Sequence, residues 1–376
     1  MSRPRSSGGG ATAGGAGRLA ERLRERIRRE GPLSFREWMR AALYDERGGY
    51  YRRRDAERWG RAGDYRTAPE RSRLFAAAFA RYFASLYEEL GRPRSFVLVE
   101  AGGGPGHFAR GVLQTLERDL PELFGKTRYV YEEASDDARL RAASLLAPFA
   151  GRVEFREAVE GEASVVFSNE LLDALPVHRV RMGRGRLREL FVHVDEEGRF
   201  GWTEAEPSTP RLFEHFERAG VRLAEGHEAE VCLDAEDWME RAARLVGRGF
   251  VVTVDYGAEA VELYTAPHRA RGTLRGFSAH AFVEDLLREP GSHDLTTTVN
   301  WTQIRAAGER AGLRAVCFER QDAFLLRAGL LEQLERETAL AEDEAEVARL
   351  RLDAREMVLP GLMASHFQVL VQKKVT

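Results

Sequence analysis

The chain has 376 residues, of which 43% are hydrophobic, and a formal net charge of −3. This length suffices for one large α/β domain with an appended subdomain. The nearly balanced charge gives no general attraction to nucleic acid or to an anionic membrane surface, and no apolar run approaches the ~20 residues of a membrane span. The two cysteines, Cys232 and Cys317, are isolated, so we expect no disulfide framework and no metal site, and a reducing compartment.

The first quarter of the chain is predicted to form a helical cap. Residues 1–17 are rich in glycine and serine and poor in apolar side chains, which is typical of a disordered tail. Helical periodicity follows over residues 18–47 and again over about 71–90. No strand is expected before Phe96. We therefore assign residues 18–94 to an N-terminal cap.

The remaining chain, residues 95–376, is predicted to form an α/β domain. Apolar strands alternate with helical segments, which indicates a parallel sheet covered on both faces. Two insertions interrupt the alternation, a hairpin at about 183–210 and a loop-rich segment at about 260–302. A charged helix is expected over about 329–357. The segments "RAVCFERQDAFLL" and "HFQVLVQKK" on its two sides are expected to pair as antiparallel strands at the sheet edge.

The first strand of this domain ends in a cluster of glycines. A phosphate-binding loop needs lysine and serine or threonine after its last glycine, and a dinucleotide fingerprint needs a further glycine or alanine where His107 stands. Both phosphate interpretations are therefore weakened. The pattern that remains is Glu-x-Gly-x-Gly-x-Gly, formed by Glu100, Gly102, Gly104 and Gly106. It resembles the first motif of the class I S-adenosylmethionine-dependent methyltransferases.

Such a loop would let a nucleoside lie against bare backbone, while the helix N-terminus near His107 would offer N–H groups to a carboxylate. An acid at the end of the next strand would bind the ribose hydroxyls. Glu132 and Glu133 both stand there, and alternation with the apolar positions favours Glu133. The alternative is that the glycines only permit a tight turn and that the acids are solvated.

A second polar cluster, "SNELLDALPVH", follows another apolar strand. Ligands of open α/β sheets sit outside the carboxyl ends of the strands, so Asn169, Glu170 and Asp173 are expected to face the same crevice as the glycines. Glu170 and Asp173 are three residues apart, and one helical turn would aim both carboxylates together before Pro176 ends it. The alternative is a helix N-terminus at which acids are favoured by the helix dipole.

Several segments together resemble the MidA-like family of class I methyltransferases, over about residues 31–301. They are "GPLSFREWMRAALYDERGGYY", "GDYRTAPE", "VEAGGGPG", "SNELLDALPVH", "RELFVHVD", "VVTVDYG", "GTLRGF" and "PGSHDLTTTVNW". The pair "GDYRTAPE" and "NELLDALPVH" is specific. The fold implied is the Rossmann-like methyltransferase sheet with a helical N-terminal cap and an inserted hairpin and loop subdomain.

The resemblance also implies a chemistry. The cofactor would be S-adenosylmethionine and the acceptor an arginine of a protein, such as a respiratory complex I subunit or another assembly client. Paired carboxylates can orient a guanidinium through two hydrogen bonds, and the candidates are Glu170 and Asp173, with Asp64 closing the pocket from the cap. The cofactor residues implied lie at the three strand ends described above: Glu100, Gly102, Gly104, Gly106, Glu133 and Asn169.

Two other classes of function remain open. A methyltransferase for a small molecule shares the cofactor site but needs a closed pocket, and an assembly factor without catalysis keeps the fold for binding alone. Cofactor binding separates the last class from the other two, provided that such an assembly factor has lost the cofactor site. A methylated partner protein separates the first two. The expected location is the cytoplasm of a bacterium, since arginine far outnumbers lysine throughout, or the mitochondrial matrix in a eukaryote.

Overall fold

The computed structural model describes residues 13–53, 72–278, 281–359 and 366–375. Its helices are α1 (Ala13–Glu30), α2 (Phe35–Tyr44), α3 (Arg73–Glu89), α4 (His107–Asp119), α5 (Pro121–Lys126), α6 (Asp136–Leu145), α7 (Arg211–Ala219), α8 (Leu233–Leu245), α9 (Ala260–Thr265), α10 (Trp301–Arg310), α11 (Gln321–Arg327), α12 (Leu330–Ala339) and α13 (Glu344–Val358). None of these described helices is both long enough and apolar enough to cross a membrane.

The strands alternate with these helices through most of the chain. They are β1 (Leu33–Ser34), β2 (Phe96–Ala101), β3 (Thr127–Glu132), β4 (Val153–Arg156), β5 (Val165–Asn169), β6 (His178–Gly183), β7 (Arg186–Val194), β8 (Phe200–Ala205), β9 (Glu228–Val231), β10 (Phe250–Ala258), β11 (Arg275–Ser278), β12 (Ala281–Phe282), β13 (Asp294–Thr296), β14 (Val299–Asn300), β15 (Leu313–Arg320) and β16 (Phe367–Lys374).

The main sheet has the order β15-β16-β10-β5-β2-β3-β4. Strands β4, β3, β2, β5 and β10 are parallel, and β16 runs antiparallel to both β10 and β15. This confirms the predicted α/β fold and the antiparallel pairing of the last two strands, although only β15 lies at the edge. The strand order reverses direction at β2, so the loops after β2 and β5 flank one crevice.

Helices cover both faces of this sheet. On one face, a cluster of phenylalanines joins α3 and α4 to the strands, and the rings of Phe108 and Phe167 stack at 4.2 Å. On the other face, α8 and α10 cover the strands. Because α3 packs in this layer through Phe75, Phe79 and Phe83, it belongs to the sheet's own core, although the sequence placed it within the cap of residues 18–94.

The N-terminal cap consists of α1, α2 and the short strand β1. Phe35, Trp38 and Leu43 are fully buried and form part of its core. The expectation of no strand before Phe96 was wrong, because β1 pairs antiparallel with β7 and ties the cap to the inserted hairpin. Helix α1 begins at Ala13, so it overlaps the last part of the expected tail of residues 1–17.

The two inserted segments form sheets of their own. The predicted hairpin is present as β7 and β8, but it belongs to a second sheet of order β1-β7-β6-β9, with β8 paired to β7. The later insertion contains a three-stranded sheet of order β12-β11-β13. The predicted charged helix over 329–357 is two helices, α12 and α13, because Asp343 starts a new one by accepting a hydrogen bond from the Glu346 N–H at 2.7 Å.

A buried carboxylate, Glu236, joins α8 to two neighbouring helices. It accepts hydrogen bonds from Arg218 at 3.2 Å, Gln303 at 3.0 Å and Arg310 at 3.1 Å. Burial acts to raise the pKa of Glu236, but its hydrogen bonds and neighbouring arginines outweigh burial and lower the pKa to about 2.

We expect Glu236→Gln to lower the free energy of unfolding by about 2–3 kcal/mol at neutral pH, since charged hydrogen bonds are lost. A depressed carboxylate pKa stabilises the fold above the unfolded-state pKa and ceases to do so as pH falls through about 2. The difference in the free energy of unfolding between wild type and Glu236→Gln should therefore shrink below about pH 4.5. Denaturant unfolding between pH 3 and 7 measures it, with the exposed Asp237→Asn as control, and a constant difference across that range would contradict it.

Candidate active site

A cleft of about 1020 Å³ opens at the carboxyl edge of the main sheet. Its first half is formed by the loops after β2, β3 and β5. Its second half is formed by the cap, the end of β10 and the later insertion. Pockets for one drug-sized ligand measure about 300–1,000 Å³, so this cleft has room for a cofactor beside an acceptor group.

The glycine loop forms the floor of the first half. Gly102, Gly104 and Gly106 have φ of +72°, +59° and +91°, a backbone region that favours glycine. Gly103 is required for a different reason, because a Cβ there would lie 2.4 Å from the ring of Tyr131. Gly106 is the N-cap of α4, so the first N–H groups of that helix lie beside the cleft.

The two acids at the end of β3 have different environments. Both carboxylate oxygens of Glu132 bind Arg241, at 2.6 and 2.9 Å. Glu133 accepts hydrogen bonds from the N–H of Gly104 at 2.9 Å and of Ser135 at 2.7 Å, and burial raises its pKa. Glu133 is therefore the acid connected to the glycine loop, in the place where the sequence predicted a ribose ligand.

Glu100 lies deeper, below the loop. It is only 4% exposed and accepts a hydrogen bond from the Tyr129 hydroxyl at 2.7 Å. Burial raises the pKa of Glu100 to about 8, so its carboxyl is largely protonated at neutral pH and can donate a hydrogen bond. Asn169 ends β5 on the opposite side of the loop, and its buried Oδ1 has no hydrogen-bond partner among the described residues.

The segment after β5 is a tight turn. The predicted helical turn from Glu170 to Asp173 was wrong, because no helix is formed there and Glu170 lies outside the helical backbone region. The Asp255 carboxylate on β10 holds the turn by accepting hydrogen bonds from the N–H of Leu172 at 3.0 Å and of Asp173 at 3.4 Å. Glu170 itself has φ of +51°, and its N–H donates to Val254 at 3.0 Å. Residues held in this strained conformation are found preferentially at functional sites.

Glu170 and Asp173 both line the cleft. Asp173 is 5% exposed, and its Oδ1 has no hydrogen-bond partner among the described residues. Burial raises the pKa of Asp173 to about 6, against the lowering effects of a hydrogen bond with Tyr256 and the charge of Arg275. Burial and the neighbouring carboxylates also raise the pKa of Asp255, which does not line the cleft.

Residues from outside the parallel sheet complete the second half of the cleft. Tyr44 and Tyr51 of the cap stack at 5.5 Å, and the guanidinium of Arg275 lies 5.4 Å from the ring centroid of Tyr256. Asp294 of the later insertion is 5% exposed. No sequence pattern indicated a role for these residues, although "GGYY" and "SHDLTTT" stand among the segments that carry the family resemblance. Asp64, the third predicted catalytic acid, lies outside the described residues.

The sequence from 78 to 318 matches the model of a family described as an S-adenosyl-L-methionine-dependent methyltransferase. The chain belongs to this family. The match covers more than half of the chain and includes every residue of the cleft's first half. It therefore establishes the chain as an S-adenosylmethionine-dependent methyltransferase and confirms the predicted enzyme class and cofactor.

Individual relatives agree with this assignment. The methyltransferase is 28% identical to the mitochondrial protein arginine methyltransferase NDUFAF7 homolog of Drosophila melanogaster, over 94% of this chain and 87% of that one. It is 26% identical to the human mitochondrial protein arginine methyltransferase NDUFAF7, over 83% and 73% of the two chains. Its fold also resembles that of a COG1565 superfamily protein from Burkholderia thailandensis, whose crystal structure contains bound S-adenosyl-homocysteine. The TM-score is 0.86 and the identity 26%, over 99% of this chain and 95% of that one.

The residues of the first half fit this cofactor. Glu133 offers a carboxylate at the end of β3, the buried Oδ1 of Asn169 lacks a partner among the described residues, and α4 presents its N-terminus. Together they provide acceptors for hydroxyl and amino groups and donors for a carboxylate. Within the described residues, no group of histidine, cysteine, aspartate and glutamate side chains is arranged to hold a metal ion.

Proposed function

We propose that this methyltransferase acts on arginine side chains of a protein substrate. One observation carries the proposal: beside the cofactor half of the cleft, Asp173 holds a buried carboxylate oxygen without a partner among the described residues. Such an oxygen is costly to bury unless a donor binds it. A guanidinium supplies donors in a planar fork that matches a carboxylate.

The tyrosines around this carboxylate favour a cationic acceptor as well. Tyrosine rings attract cations over their faces, and the ring of Tyr256 already holds the guanidinium of Arg275 at 5.4 Å. Glu170 adds a second carboxylate three residues from Asp173. We assign both residues to the acceptor, with Asp64 as a further candidate from the cap.

When bound, the cofactor would supply a methyl group attached to a positively charged sulfur. The sulfur would be the leaving group and would keep the electron pair of its bond to the methyl carbon. The contribution of this chain is to position the acceptor nitrogen in line with that bond and to balance charge. A guanidinium nitrogen that gains a methyl group loses a proton, and the carboxylates of Asp173 and Glu170 are placed to accept it. Their negative charge also orients the acceptor nitrogen before transfer.

For the cofactor we assign a role to each predicted residue. Glu133 binds the ribose hydroxyls and Asn169 accepts from an amino group. Gly102, Gly104 and Gly106 leave space for the nucleoside along the backbone, and Glu100 supports the loop from below. Because the carboxyl group of Glu100 is largely protonated at neutral pH, it adds no second negative charge near Glu133.

The choice of a protein over a small molecule rests on the relatives, which are named protein arginine methyltransferases. The family resemblance suggests a respiratory complex I subunit or another assembly client as the substrate. The candidate locations are the bacterial cytoplasm and the mitochondrial matrix, and the mitochondrial relatives favour the second for a eukaryotic protein. A small-molecule acceptor is the competing possibility, since the cleft is large enough to enclose one.

Methyl-labelled S-adenosylmethionine, incubated with the enzyme and a cell extract, tests this choice. We expect the label in the fraction precipitated by acid, in a few protein bands on a gel. Label that stays with small molecules after filtration would contradict the proposal. Enzyme inactivated by heat supplies the background.

A further inference from the structure

We propose that Asp294, oriented by Tyr51, is a further carboxylate that anchors the acceptor guanidinium, from the side opposite Asp173. The inference rests on the proposed function and concerns a residue to which neither the sequence analysis nor that proposal gives a role. It places the specificity for a cationic acceptor on segments outside the parallel sheet.

A closed series of contacts surrounds the acceptor half of the cleft. The Tyr44 hydroxyl donates to the carbonyl of Ala174 at 3.0 Å, and the rings of Tyr44 and Tyr51 stack at 5.5 Å. The Tyr51 hydroxyl donates to Oδ1 of Asp294 at 2.7 Å. Three residues further on, the N–H of Thr297 donates to the carbonyl of Asp173 at 2.9 Å, which completes the series. Asp173 and Asp294 therefore line one chamber.

The position of Asp294 is fixed by its surroundings. Its Oδ1 accepts from the N–H of Leu295 at 2.9 Å as well as from the Tyr51 hydroxyl, and strand β13 pairs Asp294 with Phe277 of β11. These contacts hold the carboxylate in one orientation against the cleft. A carboxylate held in this way loses little side-chain entropy when a ligand binds.

The electrostatics agree with a cation-binding chamber. Burial is the first cause of a strongly raised pKa of Tyr44, and the negative charges of Asp294, Asp173 and Glu133 are the next. The charges of three carboxylates therefore act on one tyrosine hydroxyl. Arg275 lines the same cleft and offsets part of this charge, and its position over Tyr256 shows that these walls accommodate a guanidinium. The second, incoming guanidinium would lie between Asp173 and Asp294.

The test uses two small probes with the full-length enzyme saturated with S-adenosylhomocysteine. Ethylguanidinium carries the charge of an arginine side chain, and ethylurea has nearly its shape without the charge. Ligand-observed NMR titration gives the affinity for each. We expect wild type to prefer ethylguanidinium, and Asp294→Asn to weaken that probe at least about tenfold while ethylurea and the affinity for S-adenosylhomocysteine are unchanged.

The matched control is Asp322→Asn. Asp322 is also a buried aspartate that accepts from the next N–H, that of Ala323 at 2.8 Å, and pairs with a neighbouring arginine, but it lies outside the cleft. We expect this variant to bind both probes as wild type does. Tyr51→Phe removes only the orienting hydroxyl and should reduce the preference for ethylguanidinium over ethylurea, a readout that loss of stability alone would not change.

The outcomes separate this inference from the proposed function. If wild type shows no preference for ethylguanidinium, the arginine acceptor is wrong and the inference falls with it. If wild type prefers it and folded Asp294→Asn binds it equally well, only the anchoring role is wrong. Should Asp294→Asn fail to fold, Tyr51→Phe decides, and an unchanged preference in that variant overturns the inference.

Discussion

Glu133→Ala is expected to weaken the binding of S-adenosylhomocysteine about a hundredfold. The variant removes the carboxylate that we assign to the ribose hydroxyls, and a hydrogen bond to a charged group contributes about 1.5–3 kcal/mol, or one to two decades of affinity. It also removes the acceptor that holds the N–H of Gly104 at 2.9 Å. An isotherm by titration calorimetry measures the loss directly.

The neighbouring Glu132→Ala is the matched control. It removes a carboxylate of the same strand end whose two oxygens bind Arg241. This variant should lose stability in thermal unfolding and retain most of its affinity for the cofactor product. If the two variants lose affinity equally, the assignment of the ribose contact to Glu133 is wrong, and the loop is sensitive to any change at the end of β3.

Asp173→Asn is expected to slow methyl transfer by about one to two decades in a single turnover at saturating cofactor. Asparagine keeps the shape of the side chain but loses the charge that orients the acceptor and receives its proton, and each decade corresponds to about 1.4 kcal/mol of barrier. Binding of S-adenosylhomocysteine should change little, since Asp173 stands on the acceptor side. Glu170→Gln should act in the same direction.

The pH dependence gives a second signature of Asp173. Its pKa is raised to about 6, so the carboxylate is charged above that pH and neutral below it. For wild type, kcat/KM should therefore rise with pH through about 6 and then level off, because kcat/KM reports the ionisations of the free enzyme. The rise should be absent in Asp173→Asn. A variant with a normal rate and a normal profile would remove Asp173 from the mechanism.

The features that the sequence predicted are those fixed by local pattern. Apolar strands alternating with helices predicted the parallel sheet, and the glycine spacing predicted the loop at the end of β2. The preference for Glu133 over Glu132 came from the two-residue period of a strand. In the structure Glu132 binds Arg241, and Glu133 accepts a hydrogen bond from the glycine loop. Successive side chains of a strand point to opposite faces, so the two acids contact different partners.

The features that the sequence missed depend on contacts between distant segments. The turn after β5 is held by Asp255, more than eighty residues away, which accepts its N–H groups. The two-residue strand β1 exists only because β7 pairs with it. Tyr51 and Asp294 meet across 243 residues, and neither stands in a pattern that indicates a charged ligand. No local period reports such contacts.

The identity of the methylated amino acid tests the central claim most directly. The enzyme is given S-adenosylmethionine carrying a deuterated methyl group and a cell extract, and the labelled proteins are digested and sequenced by mass spectrometry. We predict the label on the side-chain nitrogens of arginine, with much less label from Asp173→Asn than from wild type. Label on lysine, on a carboxylate or on no protein at all would contradict an acceptor site built from carboxylates and tyrosines to hold a guanidinium.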